Sequence, residues 1–121
     1  MTADDPDREA RLAEIAEHKA RQERLASEHG MPEHISNADA LALARTAGVP
    51  ISPYVDADDW IYSSIYRDEA AAGAWLESNR VHHGHPTLAR VPLPGGRVVG
   101  ILDLRPSMKS AREAARKGGR S

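Results

Sequence analysis

The sequence predicts a small α+β fold: an N-terminal helix, two further helices, then a C-terminal β-hairpin and a short basic tail. Three observations carry this expectation. Residues 6–29 are a charged, capped stretch without a strand signal. The run Asp68–Ser78 is alanine-rich and helical in composition. Pro94-Gly95-Gly96 separates two apolar, β-branched segments, and proline followed by glycine is the chemistry of a tight turn. At 121 residues the chain is read as a helical arm or extension (1–30), a small α+β core (31–105) and a basic tail (106–121).

The first helix has legible ends. Asp5 suits an N-cap and Pro6 the first helical position, where a missing N–H costs nothing. Asp4, Asp5, Asp7 and Glu9 favour the positive end of the helix dipole. Gly30 accepts the left-handed conformation of a C-terminal stop, and Pro32 prevents resumption. Leu12, Ile15 and Leu25 are the only large aliphatic residues on it, so it has little to bury alone. It reads either as an arm for a partner or as a solvated surface helix.

A second helix is expected from about Asn37 to Ala47, with Ser36 and Asp39 as a capping pair and Gly48 then Pro50 as the stop. Pro50 and Pro53 make residues 49–55 an extended crossover. Asp56 is expected to cap a third helix over about 57–79, on the spacing of Ile61, Ile65, Ala72 and Trp75. The run Trp60–Tyr66 is also rich in β-branched and aromatic residues, which leaves a strand as its alternative and a helix break near Arg67 or Gly73. The five aromatic residues, Tyr54, Trp60, Tyr62, Tyr66 and Trp75, all lie between residues 54 and 75, so the core is expected to form around that segment.

The hairpin strands are expected at Leu88–Leu93 and Arg97–Leu104. Pro92 cannot donate to a ladder and puts the first of them at a sheet edge. Val98–Leu104 is apolar on both faces for part of its length, which predicts cover on both sides. Pro106 ends it, and Ser110 with Glu113 suggest a short helix that stops at Gly118-Gly119.

The charge is uneven. Residues 1–35 hold nine acids and five bases, net −4; residues 36–85 are also at −4; residues 86–121 hold two acids and eight bases, net +6. Such asymmetry points to an interaction surface. Its candidates are Arg90, Arg97, Arg105, Lys109, Arg112, Arg116, Lys117 and Arg120. On a helix Lys109, Arg112 and Arg116 share a face, which can track phosphates or dock on an acidic protein surface. The acidic first helix is one such surface within this chain. No aromatic residue is interleaved with these bases, so stacking on single-stranded nucleic acid is not supported.

Other chemistry is thinly represented. Cysteine is absent, which removes disulfides, thiolate metal sites and thiol catalysis. His82, His83 and His85 form a cluster whose nitrogens suit zinc, nickel or copper, but a third ligand has to come from elsewhere in the chain. The plain alternative is a polar loop whose imidazoles sit at the negative end of a helix. Asp56, Asp58 and Asp59 lack the glycine and distal glutamate of a calcium loop, and capping accounts for them. Residues 40–59 share a helix-turn-helix spacing only in part, since Pro50 and Pro53 interrupt the second helix and the three aspartates repel phosphate. Gly95-Gly96 precedes a strand rather than the helix a phosphate loop needs. No serine stands in a nucleophile elbow.

The leading expectation is therefore a non-enzymatic, cytoplasmic interaction protein that docks on a larger protein or assembly through its arm and basic end. Homo-oligomerisation is compatible with it, and no membrane span is expected. The alternative is a nucleic-acid-binding accessory or regulatory protein using the hairpin and tail. The most remote is a metal-dependent enzyme centred on the histidine loop; no other cofactor is implied.

Overall fold

The computed structural model describes residues 6–108. The expected cap at Asp5 and the helix through Ser110 and Glu113 lie outside them. The chain divides into two compact units, residues 1–31 and 32–121. The first is helix α1, Pro6–His29, with Asp7 and Glu9 in its first turn. It stops where Gly30 turns to φ 75° and its N–H donates back to the Ala26 carbonyl at 2.8 Å. Leu12 and Ile15 on this helix are exposed.

The second unit runs β1 (Glu33–His34), α2 (Asn37–Thr46), β2 (Ile61–Tyr66), α3 (Glu69–His83), β3 (Thr87–Pro92) and β4 (Val98–Asp103). The strands form one antiparallel sheet in the order β1-β2-β4-β3. Helix α2 starts as its sequence predicts: the Ser36 hydroxyl accepts the Asp39 N–H at 3.1 Å. It ends before Gly48, at φ 74°.

The expected helix over 57–79 is overturned in its first half. Residues 56–59 are a turn in which the Asp59 carboxylate accepts the Asp56 N–H at 2.8 Å and the Asp56 carboxylate accepts the Asp58 N–H at 3.1 Å. Asp56 therefore closes a loop on itself instead of capping a helix. Residues 61–66 are then a strand, not a helix. The helix cap is Asp68, whose carboxylate accepts the Ala71 N–H at 2.8 Å. The residues following each candidate cap decide the matter: alanine-rich sequence propagates a helix after Asp68, whereas β-branched and aromatic residues after Asp59 favour the pleated surface. Helix α3 runs on to His83 and ends at Gly84, with φ 67°.

The hairpin forms around Pro94–Gly96. Gly95 at φ 85°, ψ 7° has the dihedral angles of the third position in a type II turn, which a side chain resists. The Leu93 N–H donates to the Arg97 carbonyl at 2.8 Å and closes the ladder. Pro92 lies on β3, an edge strand, and β4 is central with Val98–Leu102 buried throughout. Both expectations for these strands are met.

One face of the sheet packs Ile61, Ala89, Val91, Val99 and Ile101 against Ala40, Leu41 and Ala44 of α2, with Val55 from the crossover. The other face lies under α3, which buries Ala71, Ala72, Trp75 and Leu76. Gly100 makes this second packing possible: a Cβ there would stand 2.8 Å from Tyr66 Cε2 and 3.0 Å from Leu76 Cδ2. The core is thus not built around the aromatic segment. Tyr66 and Trp75 are buried, but Tyr54, Trp60 and Tyr62 are exposed, because they occupy the crossover and the open end of β2. Aliphatic and small side chains supply most of the interior. No helix among the described residues is long and apolar enough to cross a membrane.

Candidate interaction surface

The described bases of the candidate set are mostly engaged. Arg90 projects from β3, and its Nη2 donates to Glu69 Oε2 on α3 at 2.5 Å. Arg105 grips Asp103 with two parallel bonds, Nε to Oδ1 at 2.8 Å and Nη2 to Oδ2 at 3.0 Å. Its backbone N–H reaches the same Oδ1 at 3.0 Å. The Arg105 hydrogen bond holds the Asp103 carboxyl below its ordinary value, although partial burial opposes the shift. Arg97 is exposed beside the hairpin turn. Lys109, Arg112, Arg116, Lys117 and Arg120 lie outside the described residues. Residues 105–108 are helical, and the Met108 N–H donates to the Leu104 carbonyl at 3.1 Å. Pro106 is accommodated there because the first turn of a helix tolerates a missing N–H.

The histidines occupy the C-terminus of α3 and the loop after it. The His83 and His85 rings stack with centroids 5.9 Å apart, and His82 is exposed. His85 Nε2 lies 3.1 Å from Ser107 Oγ, while the Ser107 hydroxyl donates to the Leu104 carbonyl at 3.0 Å. The pair ties the α3–β3 loop to the segment after β4. Among the described residues no three His, Asp or Glu side chains gather where they could hold a metal ion.

The surface that sequence reasoning missed begins at β2. Trp60 is 55% exposed and Tyr62 47% exposed. His34 on β1 lays its ring against Tyr62, with centroids 5.7 Å apart. Glu33, next to His34 on β1, pairs with Ile65 and so projects on the opposite face of the sheet. The backbone beneath is fixed at several points. The Trp60 carbonyl accepts the Leu104 N–H at 3.0 Å. Asn37, the first residue of α2, donates to the Ile61 carbonyl at 3.1 Å and accepts the buried Ser63 hydroxyl at 2.8 Å. The rings thus stand on a pinned strand end. The signal that pointed to them was the strand alternative for Trp60–Tyr66, which turns Tyr62 opposite to Ile61 and Ser63.

Farther along the same strand Tyr66 is buried. Desolvation pushes its hydroxyl up to about 12, against a smaller lowering by a hydrogen bond with Ser64. On the other face, α2 and the crossover enclose an open concavity of about 410 Å³ lined by Leu41, Arg45, Pro53, Tyr54 and Asp56 among others. Its Arg45 is spent on structure: Nη2 donates to the Val55 carbonyl at 2.6 Å and to the Ser52 carbonyl at 3.3 Å. That leaves the Trp60–Tyr62 surface as the strongest candidate for contact. No protein-family model matches the chain, and neither a curated protein nor a solved structure is similar to it.

Proposed function

We propose that this chain is a non-enzymatic interaction protein that docks on a larger protein or assembly. The observation that carries the reading is the exposed aromatic pair Trp60 and Tyr62 on a strand end held by backbone and Asn37 hydrogen bonds. Tryptophan and tyrosine are the residue types that dominate protein interfaces, and a rigid base spares the ordering cost of binding. The engagement of Arg90 and Arg105 with carboxylates favours this reading over nucleic acid, because a phosphate has to compete with an intramolecular partner for each of them. The exposed arm α1 and the tail add contact area in this reading.

The test is affinity capture with the full chain, run beside the double variant Trp60→Ala/Tyr62→Ala. A partner retained by the wild type and weakened at least about 30-fold by the double variant supports the reading, since one aromatic anchor is worth about 2 kcal/mol or more. A chain that is monomeric in light scattering and captures nothing, or captures the same partner equally well as the double variant, overturns it. A steeply salt-dependent shift of DNA or RNA that survives the double substitution assigns the chain to nucleic acid instead.

A further inference from the structure

We infer that the exposed half of α1 is a ligand helix for a groove with an apolar floor and an acidic rim on a protein partner. The inference rests on the docking reading and gives it a second contact, separate from Trp60 and Tyr62.

The first observation is what the helix leaves uncovered. Every residue from Asp7 to Ala20 is exposed, with Leu12 at 54% and Ile15 at 62%. These two are the only large aliphatic residues of that stretch, and their three-residue spacing sets them on one face. Helices in proteins draw most of their stability from packing such a face. Apolar residues at positions i and i+3 are also the anchor pattern of a helix held in a groove.

The second is how charge is arranged around that pair. At about 100° per residue, Arg8, Arg11 and Lys19 lie within about 70° of the middle of the Leu12–Ile15 face. On the same reckoning Asp7, Glu9, Glu14 and Glu17 lie about 90° or more from it. Helix α1 carries six acids and five bases, yet the face with its exposed aliphatics is cationic. Among the described residues no salt bridge takes up Arg8, Arg11 or Lys19, in contrast to Arg90 and Arg105.

The arrangement selects the occupant. A second copy presenting the same face would set these three bases against their equivalents, which like-charge repulsion opposes. A nucleic-acid backbone would pair with the bases and leave the aliphatic pair facing phosphate. An anionic lipid surface would have to hold the helix through two aliphatic side chains, too little apolar area for a helix lying in the interface. A protein groove with an apolar floor and carboxylates along its rim satisfies the aliphatics and the bases together, and the acids of α1 then face water.

Site-resolved photo-crosslinking on the full chain tests this. A photoreactive phenylalanine analogue is placed singly at Leu12, Glu17 or Tyr62, and irradiated in an extract of the cells that encode the chain. The position of Leu12 is expected to give an adduct at least about tenfold stronger than that of Glu17, which lies on the opposite side of the helix. The crosslinked partner peptide is expected to carry an excess of Asp and Glu. Adding Arg8→Glu/Arg11→Glu/Lys19→Glu keeps good helix formers and should weaken the Leu12 adduct at least about tenfold, because like charges then meet across the contact. Equal adducts at Leu12 and Glu17, a partner peptide without acidic excess, or an adduct indifferent to the charge reversal overturns the inference. So does an adduct to a second copy, to lipid or to nucleic acid. Adducts at Tyr62 with none at Leu12 overturn it and leave the docking reading standing, whereas adducts at neither position overturn both.

Discussion

Gly100 sits in the middle of the central strand, where glycine is ordinarily a liability, and the packing of α3 explains why it is there. An alanine methyl at this position meets Tyr66 Cε2 at 2.8 Å and Leu76 Cδ2 at 3.0 Å, both closer than carbon atoms settle. Neither neighbour yields easily. Tyr66 is buried in the sheet face and Leu76 is buried on α3, so relief requires the helix to lift from the sheet. Overpacking of this kind costs about 1–3 kcal/mol, offset by about 0.5–1 kcal/mol of backbone entropy regained when glycine leaves a strand. Gly100→Ala is therefore expected to destabilise the sheet unit by about 1–2 kcal/mol, or about 4–16 °C in Tm for a domain of this size. Thermal unfolding followed by circular dichroism measures the shift, and Gly100→Val is expected to lower Tm further. An unchanged or raised Tm for Gly100→Ala would show that α3 does not pack on β4 at this distance.

Asn37→Ala is expected to cost about 2 kcal/mol in urea denaturation, because the buried Ser63 hydroxyl and the Ile61 carbonyl both lose their partner; a loss below about 0.5 kcal/mol contradicts the pinned strand end. The Tyr66 hydroxyl, raised to about 12 by burial, stays neutral in the folded chain at a pH where an unfolded tyrosine ionises. Its contribution is fully present below pH 10 and is lost as pH rises towards 12, by about 2–3 kcal/mol at 1.36 kcal/mol per unit. Tyr66→Phe should flatten that part of the stability–pH curve, and identical curves for the two proteins refute the shift. Arg90→Ala should change stability by less than about 1 kcal/mol, since its pair with Glu69 is exposed on both sides; a larger loss in chemical denaturation assigns Arg90 a packing role.

The parts of the fold that were legible are those where one residue type has one conformational use. Ser36 before α2, Gly48 after it, Pro94-Gly95 in the hairpin and Pro92 on an edge strand each do what their chemistry allows and little else. The misread segment is one where two periodicities overlap. Ile61, Ile65, Ala72 and Trp75 fit a helical face, while Trp60–Tyr66 fits a strand only if Ser63 counts as an inward residue. It does so because Asn37, 26 positions away, accepts its hydroxyl. A polar residue buried by a partner so distant breaks the apolar alternation that identifies strands locally. Asp56 and Asp68 are equivalent as caps by composition, and only Asp68 precedes residues that propagate a helix.

The candidate surface was illegible for a related reason. Counting charges places +6 in residues 86–121 but does not show which charges are already matched. Arg90 finds Glu69, 21 positions away, and Arg105 turns back on Asp103. Within residues 86–108, Arg90 and Arg105 are paired with Glu69 and Asp103, while residues 109–121 carry a net +4 in sequence. The asymmetry thus separates into two features: a sheet unit with exposed Trp60 and Tyr62, and the cations of residues 109–121. A partner held by the sheet surface alone should bind with little dependence on salt, because ring burial is not screened, whereas one held by the segment should lose affinity steeply as the Debye length shrinks. The slope of affinity against salt therefore discriminates between them without knowledge of the partner's identity, and substituting Trp60 or the tail cations should abolish one component and spare the other.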